Sequence, residues 1–159
     1  MSSSEKARVK SARIAAQWRS LAESRCQELG ERLTPARLGA YAELLAAKRA
    51  VTAYELIALL ENRQGRKLAP LTIYRHLDFL IRVGLVHRIE STQSYLPCDH
   101  PAHAHESQYL LCSDCGRVDE VHSDSLESLL ARIARKRGFT PAKSVVEISG
   151  VCGACGTSD

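Results

Sequence analysis

Through residue 84, apolar side chains recur every three or four positions, the spacing of helices that bury one face. Ile14, Trp18, Leu21 and Ala22 mark a first helix, which Gly30 of "GERLTP" brings to an end. Thr34 followed by Pro35 suits a second start, because the fixed backbone angle of proline matches the first helical position. Leu38, Tyr41 and Leu45 give that helix its apolar face. In "TAYE", Thr52 can cap a third helix while Glu55 reaches back to it, and Leu56, Leu59 and Leu60 supply the inward stripe. Beyond the polar loop "NRQGRK", Ile73, Leu77, Leu80 and Ile81 mark a fourth helix in "PLTIYRHLDFLIRVG", closed by Gly84. The period then becomes extended: "LVHRIE" and "SYLP" are short strand-like runs joined by the turn-forming "STQ". Three helices followed by a hairpin is the order of a winged helix-turn-helix.

The rest of the chain has a different character. "QYLLC" and "RVDEVH" are strand candidates on either side of a Cys-x-x-Cys turn, and "SVVEIS" is a final strand. Between them "DSLESLLARIARKRG" predicts an amphipathic helix. Asp124 and Glu127 would form its capping box, with Leu126, Leu129, Leu130 and Ile133 facing inward. Arg135, Lys136 and Arg137 suit the negative end of the helix dipole, and Gly138 stops it. The pattern predicts an α+β protein with a change of domain near residues 88–97, divided as 1–92 and 93–159.

Charge sharpens that division. Residues 1–90 hold 16 Lys and Arg against 9 Asp and Glu, a net of +7, whereas residues 91–159 hold 6 against 9, a net of −3. A basic half suits a polyanion, and an acidic half rich in donor atoms suits cations. No apolar run approaches the 18 residues that span a bilayer, so no membrane partner is expected. "MSSSEKARVK" lacks the apolar middle of a secretion signal, which makes the cytoplasm the expected location. In a reducing compartment, paired cysteines are read as metal ligands before disulfides.

From Pro97 to His122 the chain carries four of its six histidines and three of its six cysteines. Cys112-Ser-Asp-Cys115-Gly and Cys152-Gly-Ala-Cys155-Gly are matching halves, separated by 36 residues. Each places two thiolates on a tight turn, and together they complete a tetrahedral site that zinc fills with no open position. Such an ion would pin the end of the chain to the middle of its second domain. A redox dithiol would sit at a helix start in an α/β fold, and neither pair precedes an evident helix. The remaining donors are Cys98, His87, His100, His103, His105, His122 and nearby carboxylates. A thiolate with imidazoles selects zinc over harder ions. His87 and Cys98 on the hairpin, joined to ligands beyond it, would let metal control the geometry between the two domains.

Catalysis is not expected, nor is a small-molecule substrate. The deaminase pattern H-x-E…P-C-x-x-C fails, because the residue two after His103 is His105 and no proline precedes Cys112. "HExxH", "GxSxG" and a P-loop are likewise missing from the sequence.

In order and spacing, several stretches resemble the ferric uptake regulator family, and within it the zinc uptake regulator branch. They are "RLTPARL", "TAYELIALL", "LTIYRHLDFLIRVGLVHRIES", "YLPC", "LLCSDCGRVDEV" and "ISGVCGACG". The resemblance implies a winged-helix DNA-binding domain, then a small α/β dimerisation domain holding the Cys₄ zinc. It implies a homodimer that binds double-stranded operator DNA and represses metal-uptake genes. It also implies two zinc ions per chain, the second held between the domains by His87, Cys98, His105 and Glu120. His103 is the rival to His105 on spacing. A third site found in some relatives keeps only Glu127 here, with "ESQ" and Ser144 in the other places, so none is expected. An iron- or peroxide-responsive member, or a zinc-stapled interaction module without DNA binding, is the alternative. Cys98 and the basic first half weigh against these in turn.

In the fourth helix Ile73 and Leu77 point inward, which leaves Thr72, Arg75 and His76 to a major groove. Arg75 is the expected base reader, since its fork matches guanine O6 and N7. Thr72 and Tyr74 could bond phosphates, and Tyr54 on the preceding helix resembles a family contact residue.

Overall fold

The structure is a computed structural model that describes residues 3–99, 101 and 107–156. Local chemistry accounts for most of the helix starts. Helix α1 runs Ser3–Glu28, and Gly30 beyond it takes a left-handed φ of 65°. Helix α2, Pro35–Ala47, begins under Thr34, whose hydroxyl accepts the Arg37 N–H at 3.4 Å. A two-residue strand β1, Val51–Thr52, leads into α3, Ala53–Gln64. There the expected capping box forms: Thr52 Oγ1 accepts the Glu55 N–H, and Glu55 Oε2 accepts the Thr52 N–H at 2.8 Å. Helix α4, Pro70–Arg82, ends in a turn that Gly84 completes at φ 75°.

Strands β2, Val86–Ile89, and β3, Ser94–Pro97, form the expected hairpin. The three-stranded antiparallel sheet has order β1-β3-β2, with Val51 opposite Tyr95 and His87 opposite Leu96. Strand β1 escaped the sequence pattern because two residues carry no period. Strand β3 lies beyond the expected 92/93 division, yet it is bonded between the two other strands of this sheet.

A second sheet has order β5-β4-β6, with β4 spanning Ser107–Cys112, β5 Val118–Val121 and β6 Val145–Gly150. Strands β4 and β5 are antiparallel, whereas β4 and β6 are parallel and helix α5, Asp124–Lys136, makes the crossover. The α5 start corrects the expected cap. Ser123 is the N-cap, its hydroxyl accepting the Leu126 N–H at 3.4 Å, so Asp124 is the first helical residue. With the serine as cap, Asp124 and Glu127 both fall in the first turn, where they serve the positive end of the dipole.

The main core joins α1 to α4 and the first sheet, centred on Tyr41, Leu44, Leu56, Ile73, Leu77 and Leu80. Ala40 and Leu44 are buried in α2, whereas Leu38 and Leu45 are half-buried and Leu59 of α3 faces outward. A smaller cluster bridges the two sheets: Ile89, flanked by Leu96, packs on Tyr109 and Leu111, with Val118 and Val145 alongside. Helix α5 differs most from expectation, since none of its residues is buried and Leu129 and Ile133 are 40% and 50% exposed. No described helix is long and apolar enough to cross a membrane.

Candidate functional site

Two groups of metal-type donors converge among the described residues. In the first, Cys112 ends β4 and Cys115 sits in the turn that follows, tightened by the Gly116 N–H bonding Cys112 C=O at 3.0 Å. Cys152 and Cys155 form the same kind of turn beyond β6, where the Cys155 N–H reaches Cys152 C=O at 2.9 Å. The parallel pairing sets Cys112 opposite Gly150 and so brings the two turns side by side. The Ser113 N–H binds Gly150 C=O at 2.8 Å, and the Cys152 N–H points at Cys112 Sγ at 3.3 Å.

All four sulfurs lie within 4.8 Å of one another, and none is in a disulfide. Cys115 Sγ and Cys152 Sγ are 3.8 Å apart. A zinc tetrahedron with bonds of about 2.3 Å has a sulfur–sulfur edge of about 3.8 Å, so the donor set fits the ion. The electrostatics agree. Backbone N–H groups of Cys115 and then Cys152 draw Cys112 down to about 6, a ready thiolate. Its crowded neighbours Cys152 and Cys115 hold Cys155 up at about 12. Four thiols this close cannot all ionise unless a cation offsets their mutual repulsion.

In the second group, a ring nitrogen of His87, Cys98 Sγ and a Glu120 carboxylate oxygen lie within 4.8 Å of one another. His87 stands on β2 and Cys98 follows β3, tied down by its N–H to Leu85 C=O at 2.9 Å. Glu120 comes from β5 in the other sheet, so the group spans both halves of the chain. Cys98 is fully buried, and the Glu120 side chain is 0% exposed. Glu120 Oε1 lies 2.9 Å from His87 Nε2, and Oε2 accepts the Asp99 N–H at 3.2 Å. An imidazole, a thiol and a carboxylate turned inward together form a borderline donor set suited to zinc. The His87–Glu120 separation is shorter than the roughly 3.4 Å edge of a zinc tetrahedron, so the pair would part by about half an ångström to admit an ion. Tyr109 backs the histidine, with ring centroids 5.8 Å apart. His105, the remaining expected member, and its rival His103 lie outside the described residues.

Elsewhere in the first module, Tyr54, Thr72, Tyr74 and Arg75 are all exposed, Tyr54 at 74%. Ile73 and Leu77 are buried beneath them, so α4 offers its polar face to solvent. His76, expected beside Arg75 on that face, is half-buried instead. Burial first, and the Arg37 charge second, lower its pKa.

Sequence periodicity missed Tyr109 and Asp99, because their roles depend on neighbours across the sheets. It also missed Glu147, whose carboxylate bonds the hairpin turn.

The chain is similar to known proteins along most of its length. The "Zinc uptake regulation protein" of Escherichia coli is 38% identical over 137 residues, covering 84% of this chain and 78% of that protein. A solved "Zinc Uptake Regulator Complexed With Zinc AND DNA" superposes with a TM-score of 0.82 at 36% identity, over 91% of this chain and 93% of that one. Holo XcZur superposes at 0.81 with 34% identity, covering 91% of this chain and 99% of its own. Apo XcZur, 36% identical over 89% of this chain and 97% of its own, superposes at only 0.51. The model of the ferric uptake regulator family matches residues 28–149, and the protein belongs to that family.

Proposed function

We propose that this protein is a zinc-responsive repressor that binds double-stranded operator DNA as a homodimer and controls zinc-uptake genes. One observation carries the proposal: His87 and Cys98 of the hairpin meet Glu120 of the second sheet in a single group around the buried thiol. A donor set drawn from two modules does more than bind. It favours the arrangement in which those modules are held together.

The winged-helix module runs through Pro97, so that β3 stays in its sheet, and the dimerisation module takes the remainder. Cys112, Cys115, Cys152 and Cys155 hold a structural zinc that staples the ends of β4 and β6. His87, Cys98 and Glu120, with His105 as the fourth ligand, hold the sensed zinc. That ion supplies charge neutralisation and a fixed angular demand, and the chain supplies the consequence. With the modules held, α4 of each protomer presents Arg75 to base edges and Thr72, Tyr74 and Tyr54 to phosphates. The similarity to holo rather than apo XcZur, 0.81 against 0.51, supports a hinge whose closed form is the one described.

Homodimerisation has support in the apolar surface of the second module. Leu110 and Ile148 are register partners and both are exposed, as are Leu129, Ile133 and Phe139. A second copy would cover such exposed apolar side chains. The deciding experiment is zinc per chain, counted before and after mild chelation, with operator binding followed in parallel. Loss of one of two zincs should abolish DNA binding without unfolding. Retention of DNA binding by the one-zinc form would sink the sensor.

A further inference from the structure

The second contact between the modules lies at the tip of the hairpin. Glu147, in the middle of β6, turns its carboxylate to the Glu90–Ser91 turn. Oε1 accepts the Glu90 N–H at 2.7 Å, and Oε2 accepts the Ser91 N–H at 3.0 Å. Both carboxylate oxygens are thus used on two successive backbone donors, the kind of charge-assisted pair that is short and directional. Burial pushes the Glu147 carboxyl up, but the bonds from Ser91 and Glu90 outweigh this and leave its pKa below the ordinary value. It is therefore an anion at neutral pH. Beside it, fully buried Ile89 packs on Tyr109 and Leu111.

Geometry explains why a second anchor matters. The group of His87, Cys98 and Glu120 joins the modules at one place, and the apolar contact of Ile89 with Tyr109 and Leu111 is non-directional, so neither by itself holds the hairpin turn in one orientation. Glu147 grips the hairpin beyond Ile89, so the two anchors together fix an axis as well as a position. None of the atoms in these two bonds belongs to the proposed metal ligands.

We infer that Glu147 is a positioning residue: its bidentate grip on the Glu90 and Ser91 amides is a metal-free clasp that pre-organises the closed, DNA-competent arrangement. The inference rests on the sensor proposed above. A contact that raises the closed fraction before zinc arrives improves the apparent zinc affinity by the same factor, because the ion then selects a state already populated. Operator binding shares that gain through linkage.

Glu147→Gln tests this at one atom. The amide keeps the size of the side chain but offers one acceptor, and its NH₂ must face the other N–H. Two quantities are read on the full-length chain with the structural zinc bound. Hydrogen exchange at the Glu90 and Ser91 amides, without sensor zinc, should speed up in the variant. The zinc concentration that half-fills the sensor should rise about tenfold, equivalent to roughly 1.4 kcal/mol. Occupancy of the Cys₄ site and the melting temperature of the variant should stay at wild-type values. Ser91→Pro removes one donor from the hairpin side and leaves β6 untouched; exchange at the remaining Glu90 amide should speed up and the zinc requirement should rise in the same way. Unchanged amide exchange, or unchanged sensor affinity in both variants, overturns the inference. If the wild-type chain takes up no second zinc, the sensor reading falls, and amide exchange alone then decides the clasp.

Discussion

Replacing Cys98 by serine removes the one thiolate of the proposed sensor while leaving its shape almost unaltered. The side chain is fully buried, and its backbone N–H stays bonded to Leu85 C=O, so the hairpin should keep its register. Shifting a closed fraction from about 1% to about 99% needs roughly 10⁴-fold preferential binding, or about 5.5 kcal/mol. Shared equally among four ligands, that is about 1.4 kcal/mol each, which makes a tenfold rise in the zinc requirement the smallest expected effect. The thiolate is the softest donor of the set. If it supplies half the preference, about 2.7 kcal/mol, saturating zinc closes only about half of the molecules. Anisotropy of a labelled operator under zinc titration measures this, with bound zinc counted on the same sample. The expected variant is a folded dimer retaining one zinc per chain and responding to zinc weakly or not at all. A wild-type zinc response would refute the reasoning, and loss of both ions with unfolding would move Cys98 into the structural site.

Three further outcomes are expected. Arg75→Ala should cost about 1–3 kcal/mol at one operator base position, read by binding to a panel of single-base variants; a loss spread equally over all sequences makes Arg75 a backbone contact. Ile133→Asp puts a charge on a half-exposed position of the apolar face, so sedimentation should give a monomer with unchanged helix content; a dimer of wild-type strength places the interface elsewhere. Glu55 is held down to about 2 by Arg49 first, then by the Thr52 N–H and hydroxyl. Its folded pKa lies below its unfolded one, so the capping box contributes in full above about pH 4.5 and is lost as pH falls towards about 2. Because the side chain is 41% exposed, solvent screening discounts the contribution to about 1 kcal/mol. Acid titration of Glu55→Gln beside wild type should show the difference vanish at the acid end, and a gap independent of pH would disprove it.

Much of the molecule was legible before any coordinates, for physical reasons. Helix starts at Thr34-Pro35 and Thr52-x-x-Glu55 depend on bonds spanning three residues, so the local sequence suffices to place them. The same holds for each Cys-x-x-Cys turn, and for the buried stripe of Ile73, Leu77 and Leu80, where a helical period maps directly onto one face. The order of elements therefore determined the winged helix, and the donor types determined the preference for zinc. Contacts distant in sequence were another matter. The parallel pairing of β4 with β6 that gathers the four sulfurs, the approach of Glu120 to His87, and the grip of Glu147 on residues 56 and 57 positions away all depend on how the chain returns on itself. The stripe on α5 makes the same point in reverse: its period told that Leu129 and Ile133 would lie on one face, but only the packed chain decided that the described residues leave them 40% and 50% exposed. Local bonds are written in neighbouring residues, whereas the meeting of distant segments is a property of the whole packed chain.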